Sequence, residues 1–218
     1  MIHRVVLTDS TDGIGRVFAS ALHDRGTPTV LIEIVPTANH LPAYPTISAT
    51  SDYPSLRAAY TSAHTVLGGI DILINVACVK STASLPITHR EQIHSQFATH
   101  LGDVALCCSI GMGFMSDRTI PTRLMNIWLS SDENGHASDT AWHPNAYALI
   151  AIHTEYLARV HAHTGTKFTS FVQHTGDPRG MPNDTQAILA WIQGGTTGAL
   201  DGHSGHVITL GQRASAHM

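Results

Sequence analysis

The stretch Val5-Val6-Leu7-Thr8-Asp9-Ser10-Thr11-Asp12-Gly13-Ile14-Gly15 decides the fold of this 218-residue chain. It starts as a short apolar run, continues through small polar residues and reaches two glycines. Beyond it, apolar side chains recur at helical spacing as far as Gly26: Val17, Phe18, Ala21 and Leu22. This pattern predicts a buried strand, a tight turn and a helix, a unit that is typical of α/β proteins.

Apolar runs and helical periods alternate to the end of the chain. Further strands are predicted at residues 29–32, 70–75, 124–129, 167–172 and 206–210. Helices are predicted at residues 52–67, with Asp52 or Ser55 as N-cap, and at residues 91–115, 145–162 and 185–192. Three prolines between residues 33 and 48 predict a loop-like crossover. The alternation predicts one α/β domain over residues 1–218, a doubly wound parallel sheet with helices on both faces.

The composition excludes several classes of protein. With 43% hydrophobic residues the chain can bury one core, and a net charge of -4 gives no basic field for nucleic acid. Three cysteines cannot form a disulfide framework, which favours a reduced, cytoplasmic setting. A leader pattern and an apolar run long enough for a membrane are both lacking, so we expect a soluble protein. The sixteen histidines are scattered, and no metal site is predicted.

Tyr147 is a candidate proton donor, because it falls on the first turn of a predicted helix. A free phenol has a pKa of about 10 and needs a neighbouring cation to exchange protons near neutrality. One helical turn later the chain has Ala151, and its lysines are confined to Lys80 and Lys167. The sequence therefore predicts an acid-base tyrosine that lacks its usual partner.

Four segments in register resemble the short-chain dehydrogenase/reductase family. Residues 8–15 resemble its TGxxxGxG turn, residues 70–78 its NNAG strand, Tyr147 the start of YxxxK, and residues 204–208 its closing TGxxxxVDGG segment. The resemblance implies a Rossmann-like fold, a nicotinamide dinucleotide, and hydride transfer between a carbonyl and an alcohol. It also implies a tyrosine as acid-base group, a lysine that lowers the tyrosine's pKa, a serine on the substrate oxygen and a supporting helix asparagine.

The family's cofactor-binding positions are partly retained. The resemblance assigns this role to Thr8, Gly13, Ile14, Gly15, Glu33 and Asn75. Asp9 replaces the first glycine of the turn, where a carboxylate would repel pyrophosphate unless it points away. Glu33 would accept hydrogen bonds from the adenosine ribose and favour NAD over NADP; the alternative is a surface acid that ends a strand.

The catalytic positions depart further from the family's pattern. Without a gap, the serine position holds Trp128 or Leu129, and a two-residue bulge would bring Ser130 or Ser131 there instead. We take Ser131 as the candidate, with Ser138 as a weaker substitute. His100 aligns with the helix asparagine, and the lysine position holds Ala151.

Three functions remain open on the sequence. The first is a redox-impaired member of the family, a pseudoenzyme or a noncatalytic subunit, because several substitutions affect cofactor binding and proton transfer together: Asp9, Ala49, Val76, His100 and Ala151. The second is an NAD-dependent reductase or alcohol dehydrogenase in which Tyr147 acts with Ser131 or His100. The third is a non-redox enzyme, such as a lyase, isomerase, cyclase or dehalogenase, that uses Tyr147 as acid or base.

The resemblance also implies an oligomer. Family members associate through the long fourth helix and the tyrosine-bearing helix, so we expect a homo-oligomer or a hetero-oligomer with a paralogue. The expected ligand is a small molecule whose identity the sequence does not show, and neither nucleic acid nor a membrane is expected as a partner.

Overall fold

A computed structural model describes residues 3–11, 13–34, 43–80, 101–115, 122–131, 144–173, 189 and 204–210. The described strands are β1 (Val5–Asp9), β2 (Thr29–Glu33), β3 (Thr46–Ser48), β4 (Ile72–Lys80), β5 (Arg123–Ser131), β6 (Lys167–Gln173) and β7 (His206–Leu210). The described helices are α1 (Ile14–His23), α2 (Tyr53–Leu67), α3 (Gly102–Met112) and α4 (Pro144–Val160), followed by a short 3-10 turn at Ala162–Thr164.

The seven strands form one parallel sheet in the order β3-β2-β1-β4-β5-β6-β7. The chain moves outward from β1 to β3 and then returns to place β4 beside β1. This confirms the predicted doubly wound, Rossmann-like α/β fold. In such sheets ligands bind beyond the carboxyl ends of the strands, at the point where the strand order reverses.

Apolar side chains cover both faces of the sheet. One core cluster contains Val6, Leu73 and Leu124 together with residues from α2, α3 and α4. The second contains Leu7, Ile74 and Ile127 together with residues from α1 and Leu189. Because successive side chains of a strand point to opposite faces, the continuous apolar runs of the sequence fill both clusters.

Several boundaries differ from the predicted ones. β4 and β5 extend to Lys80 and Ser131, because the two backbones pair without interruption over nine residues, from Ile72–Arg123 to Lys80–Ser131. The three-residue strand β3 lies within the segment that the prolines predict as a loop-like crossover, and it is too short to show a period. α3 covers the C-terminal part of the predicted helix 91–115, whose residues 91–100 lie outside the described ones. Of the predicted helix 185–192, only Leu189 is described, and it is helical.

Candidate functional site

The site lies at the carboxyl ends of β1, β2, β4 and β5, where the turn 10–13 leads from β1 into α1. The turn is tied to the sheet, because the backbone N–H of Ser10 donates to Val76 O at 3.1 Å. Gly13 precedes the helix with φ +97°, a left-handed conformation that favours glycine. The predicted strand, tight turn and helix are therefore confirmed, and the strand order reverses at this turn.

The Asp9 carboxylate points into the turn. Its Oδ1 atom accepts hydrogen bonds from the Thr11 backbone N–H at 2.8 Å and from Thr11 Oγ1 at 2.5 Å. Its Oδ2 atom accepts from the Gly15 backbone N–H at 2.9 Å, and the residue is only 2% exposed. Of the two orientations that the sequence allowed, the side chain takes the one that fills the turn.

Gly15 is needed at its position because of Asp9. A Cβ atom on Gly15 would lie 2.5 Å from Asp9 Cβ, 2.6 Å from Cγ and 2.7 Å from Oδ2. The missing side chain thus makes room for a carboxylate of the same chain. In the dinucleotide-binding turn, the third glycine, which corresponds to Gly15, allows the helix to pack closely on the strand, and the second lets the backbone approach a pyrophosphate.

Burial controls the charge of this carboxylate. It raises the pKa of Asp9 from its ordinary value of 3.8 to about 6, against the hydrogen bonds from Thr11 and Gly15, which lower it. The neighbouring Glu33 raises the pKa further by repulsion, since Asp9 and Glu33 are direct register partners of β1 and β2. A buried acid at this position holds its proton at mildly acidic pH.

Glu33 is buried as well, which excludes the surface acid considered from the sequence. The residue is 5% exposed, and its carboxylate forms an ion pair with the Arg16 guanidinium of α1. Arg16 is fixed further because Tyr44 Oη donates to Arg16 O at 3.2 Å. The residue predicted to meet a ribose is therefore engaged by the first helix of its own chain.

Thr8 and Asn75 belong to a polar row inside the sheet. Thr8, Asn75, Asn126 and Ser170 are register partners across β1, β4, β5 and β6. Thr8 Oγ1 donates to Asn75 Oδ1 at 2.6 Å, and Asn75 Nδ2 donates to Asn126 Oδ1 at 2.8 Å. Ser170 Oγ lies 2.7 Å from the hydroxyl of Thr154 on α4. These side chains join neighbouring strands and one helix below the ligand edge.

The sequence interpretation missed Asn126, Ser170 and Thr154 as members of this row. Each is at most 2% exposed. Buried polar groups are almost always hydrogen-bonded. Asn126 is a single polar residue in the apolar run from Leu124 to Leu129, and this signal could have identified it, whereas Ser170 and Thr154 have polar neighbours in the sequence.

Tyr147 lies in the first turn of α4 with 36% of its surface exposed, and Ala151 follows it one turn later.

Trp128 is fully buried in the position that the family's ungapped serine would take. β5 pairs with β4 through nine consecutive residues, so this strand contains no bulge against β4. Ser131 ends β5 as the backbone partner of Lys80; both side chains, and His100 entirely, lie outside the described residues.

The residues of the turn do not fit the dinucleotide that the resemblance implies. A pyrophosphate binds such a turn through free backbone N–H groups at the start of the helix. Here the N–H groups of Thr11 and Gly15 already donate to Asp9. A phosphate would have to displace a carboxylate whose charge has the same sign.

Other groups suited to ligands are scarce in the described part of the chain. Among the described residues, no three histidine, cysteine or acidic side chains come together in a way that could hold a metal ion. Cys107 and Cys108 are buried, and burial raises the pKa of the Cys107 thiol to about 12. None of the described helices is both long and apolar enough to cross a membrane.

Comparisons with known proteins agree with the fold. No protein-family model and no curated protein sequence matches this chain. A solved dehydrogenase/reductase from Sinorhizobium meliloti is 16% identical, with 96% of this chain and 94% of that chain covered and a TM-score of 0.67. A 3-ketoacyl-(acyl-carrier-protein) reductase from Brucella melitensis complexed with NADH is 13% identical, with 96% and 97% covered and a TM-score of 0.68.

A short-chain dehydrogenase from Leptospira borgpetersenii with bound NAD+ is 12% identical, with 96% of this chain and 92% of that chain covered and a TM-score of 0.70. Two of these three structures thus contain a nicotinamide dinucleotide. At these identities the likeness establishes the architecture, over nearly the whole length of each protein. The chain has the fold of the short-chain dehydrogenases/reductases.

Proposed function

We propose that this chain is a short-chain dehydrogenase/reductase-fold protein of oxidoreductase descent in which hydride transfer is impaired or lost. In this proposal it acts as a pseudoenzyme or as the noncatalytic subunit of an oligomer. The observation that carries the proposal is that Ala151, and not a cation, follows Tyr147 by one turn on α4. A tyrosine without a cation one turn away has no group to stabilise its phenolate, so proton transfer to a substrate oxygen is slow.

Neither lysine of the chain lies one helical turn after Tyr147. Lys167 begins β6 and so lies at the amino ends of the strands, whereas α4 starts at their carboxyl ends. Lys80 ends β4 and so lies at the carboxyl ends, as Tyr147 does, but two strands away from β6, which α4 contacts. Arg159 is on α4 itself, but twelve residues after Tyr147, which is about 18 Å along the helix axis.

NAD is the better match of the two nicotinamide dinucleotides in this proposal. The buried Glu33 carboxylate ends β2, where it would repel the 2'-phosphate of NADP. Its ion pair with Arg16 holds the carboxylate in place but also competes with a ribose hydroxyl. We expect any dinucleotide binding by the natural chain to be weak.

NADH oxidation by the purified protein, followed by absorbance with a panel of aldehydes and ketones, tests the loss of hydride transfer. The variants are Tyr147→Phe and, as a matched control, Tyr156→Phe, which changes an exposed tyrosine nine residues further along α4. We expect all three proteins to stay at the rate of buffer alone. Turnover by the natural chain that Tyr147→Phe abolishes and Tyr156→Phe preserves would overturn the proposal.

A working NAD-dependent reductase is the second candidate, and one observation favours it. Lys80 and Ser131 are backbone partners at the carboxyl ends of β4 and β5, and ligands bind beyond these ends in such sheets. In that case Lys80→Met and Tyr147→Phe would each abolish turnover. A non-redox enzyme would instead show a Tyr147-dependent reaction in the absence of dinucleotide.

We propose further that the protein forms an oligomer through α4, with a second copy or with a catalytically complete paralogue. Ile152, Tyr156 and Val160 are 63%, 58% and 44% exposed and lie on one helix face at intervals of four residues. Light scattering coupled to gel filtration should give a mass above that of one chain, and Ile152→Glu should lower it. A monomeric natural chain in which Ile152→Glu changes nothing would contradict the homo-oligomer.

A further inference from the structure

We infer that Asp9 acts as a built-in anion: its carboxylate takes the position of a phosphate at the start of α1 and closes the turn to dinucleotides. The inference deepens the proposed function, on which it rests, by assigning to one residue the exclusion of the cofactor. It makes Asp9 a specificity-determining residue of this edge of the sheet. The natural chain then retains the strand, turn and helix of a dinucleotide site, but its own Asp9 carboxylate occupies the phosphate position.

The hydrogen-bond donors of the turn are the first reason. The backbone N–H groups of Thr11 and Gly15 and the Thr11 hydroxyl all donate to the two oxygens of Asp9. A backbone N–H has one hydrogen to donate, so an incoming phosphate finds these donors in use. Thr11 Oγ1 in turn accepts from the Ile14 N–H at 3.2 Å, which engages another amide of the first helical turn.

The space in the turn is the second reason. The carboxyl group of Asp9 lies where a side chain on Gly15 would otherwise be, within 2.7 Å of an added Cβ. The Asp9 side chain therefore occupies the space beside Gly15. A phosphate could enter only if the Asp9 side chain rotated out of a position in which it is 98% buried.

The charge at the strand ends is the third reason. Asp9 and Glu33 end adjacent strands in direct register, and Arg16 forms its described ion pair with Glu33. At neutral pH the Asp9 carboxylate is ionised, and a pyrophosphate would add charge of the same sign in a poorly solvated place. Like charges in such surroundings repel much more strongly than they do in water.

A purely structural cap is the competing explanation, and it predicts a different outcome. If Asp9 only stabilised α1, then removing its side chain would lower the stability and create no binding. If Asp9 stands in for a phosphate, the same change frees two amide donors and the volume beside Gly15. The variant should then gain a ligand that the natural chain does not bind.

The test compares the natural chain with Asp9→Gly, Asp9→Asn and Asp52→Gly by isothermal titration calorimetry. ADP-ribose is the probe, because it carries the pyrophosphate and the adenosine but no nicotinamide and cannot transfer hydride. We expect Asp9→Gly to bind it at least about tenfold more tightly than the natural chain, a change of about 1.4 kcal/mol. Asp9→Asn, which keeps the volume and removes the charge, should fall between the two.

Asp52→Gly is the matched control, because it removes a carboxylate that caps a different helix, α2. It should bind ADP-ribose no better than the natural chain. Far-ultraviolet circular dichroism confirms that each variant is folded at the temperature used; if Asp9→Gly is unfolded, Asp9→Asn, which keeps a hydrogen-bonding side chain, carries the comparison. Equal binding by the natural chain and a folded Asp9 variant, whether tight or absent, would overturn the inference.

Failure of the inference is distinguishable from failure of the proposed function. ADP-ribose binding reports on the turn and on the adenosine side of the site, whereas NADH oxidation reports on hydride transfer. A variant that binds ADP-ribose and leaves NADH unoxidised supports both. A natural chain that oxidises NADH overturns both, because it must bind the dinucleotide, whereas a folded Asp9→Gly variant that gains no ADP-ribose binding overturns the inference alone.

Discussion

Two aspartate carboxylates accept backbone hydrogen bonds from the first turn of a helix, Asp52 from α2 and Asp9 from α1, and the two behave in opposite ways. Asp52 caps α2 at the surface, where its carboxylate accepts from the Ser55 backbone N–H at 2.9 Å and from the Thr50 hydroxyl. Asp9 accepts the same kinds of hydrogen bond at the start of α1, but in the interior. The hydrogen bonds lower the pKa of Asp52, whereas burial raises that of Asp9 to about 6.

The comparison shows that the hydrogen bonds of a carboxylate do not by themselves decide its charge. At Asp52 water solvates the ionised form, and the Thr50 and Ser55 donors add to that solvation. At Asp9 the donors replace water only in part, so the loss of solvent is the larger effect. The two sites also differ in place: α2 begins beside the edge strand β3, whereas α1 begins where the strand order reverses.

Gly15→Ala should cause the largest change in the free energy of unfolding. The new methyl group would meet Asp9 at 2.5 Å, so the carboxylate must leave its donors or the backbone must move. Overpacking costs about 1–3 kcal/mol, and a buried polar group left without a partner costs a similar amount. We expect a loss of about 4 kcal/mol in the free energy of unfolding, measured by urea denaturation.

The double variant Asp9→Gly/Gly15→Ala is the control, because it removes the side chain that the new methyl group would meet. In the Asp9→Gly background, Gly15→Ala should cost less than about 1 kcal/mol, since alanine suits a helix better than glycine does. The difference between the two costs is the coupling energy of the pair. Equal costs in both backgrounds would show that Asp9 does not fill the space beside Gly15.

Much of the fold could be predicted from the sequence, because its strands are continuous apolar runs. β7 was predicted with its observed bounds, and α1 and α2 follow their helical periods. β4 was predicted too short because Asn75 interrupts its apolar run, although the backbone pairing continues past this residue. Strand pairing depends on neighbours that a local pattern does not include.

The site was less predictable, because it depends on the direction of one side chain. The sequence shows an acid in a glycine turn, but the orientation of Asp9 follows from donors at Thr11 and Gly15 that meet only in three dimensions. Glu33 is a similar case, since its partner Arg16 lies seventeen residues earlier, on α1. For Tyr147 the sequence already contained the decisive fact, which is the alanine four residues later.

The free energy of unfolding should also depend on pH in different ways at Asp9 and at Asp52, and this effect is smaller. Among the described residues, the charged or titratable groups that influence the Asp9 carboxyl or lie beside it are Glu33 on β2, Arg16 on α1 and Tyr44. Because its pKa is about 6 in the folded chain and 3.8 ordinarily, the folded state binds more protons between these values. Stability must therefore fall as the pH rises through this window, by roughly 3 kcal/mol for this one group.

The contribution of Asp9 is isolated by urea unfolding of the natural chain and of Asp9→Asn at pH 4, 5, 6 and 7. The other titrating groups are common to both proteins, so they cancel in the difference between the two free energies of unfolding. Asp9→Asn should gain stability relative to the natural chain as the pH rises from about 4 to 7, and two parallel curves would contradict a buried, ionising Asp9. Between pH 4 and 7 Asp52→Asn should run nearly parallel to the natural chain, because the pKa of Asp52 is lowered from its ordinary value of 3.8, and a slope of the opposite sign should appear when the series is extended down to about pH 2. A carboxylate with a lowered pKa stabilises the fold above its ordinary pKa and loses that contribution as the pH falls, so Asp52→Asn should approach the natural chain only in acid. Opposite slopes at the two helix starts would show that solvation, rather than the hydrogen bonds they share, separates an aspartate that caps a helix from one that also fills an anion site.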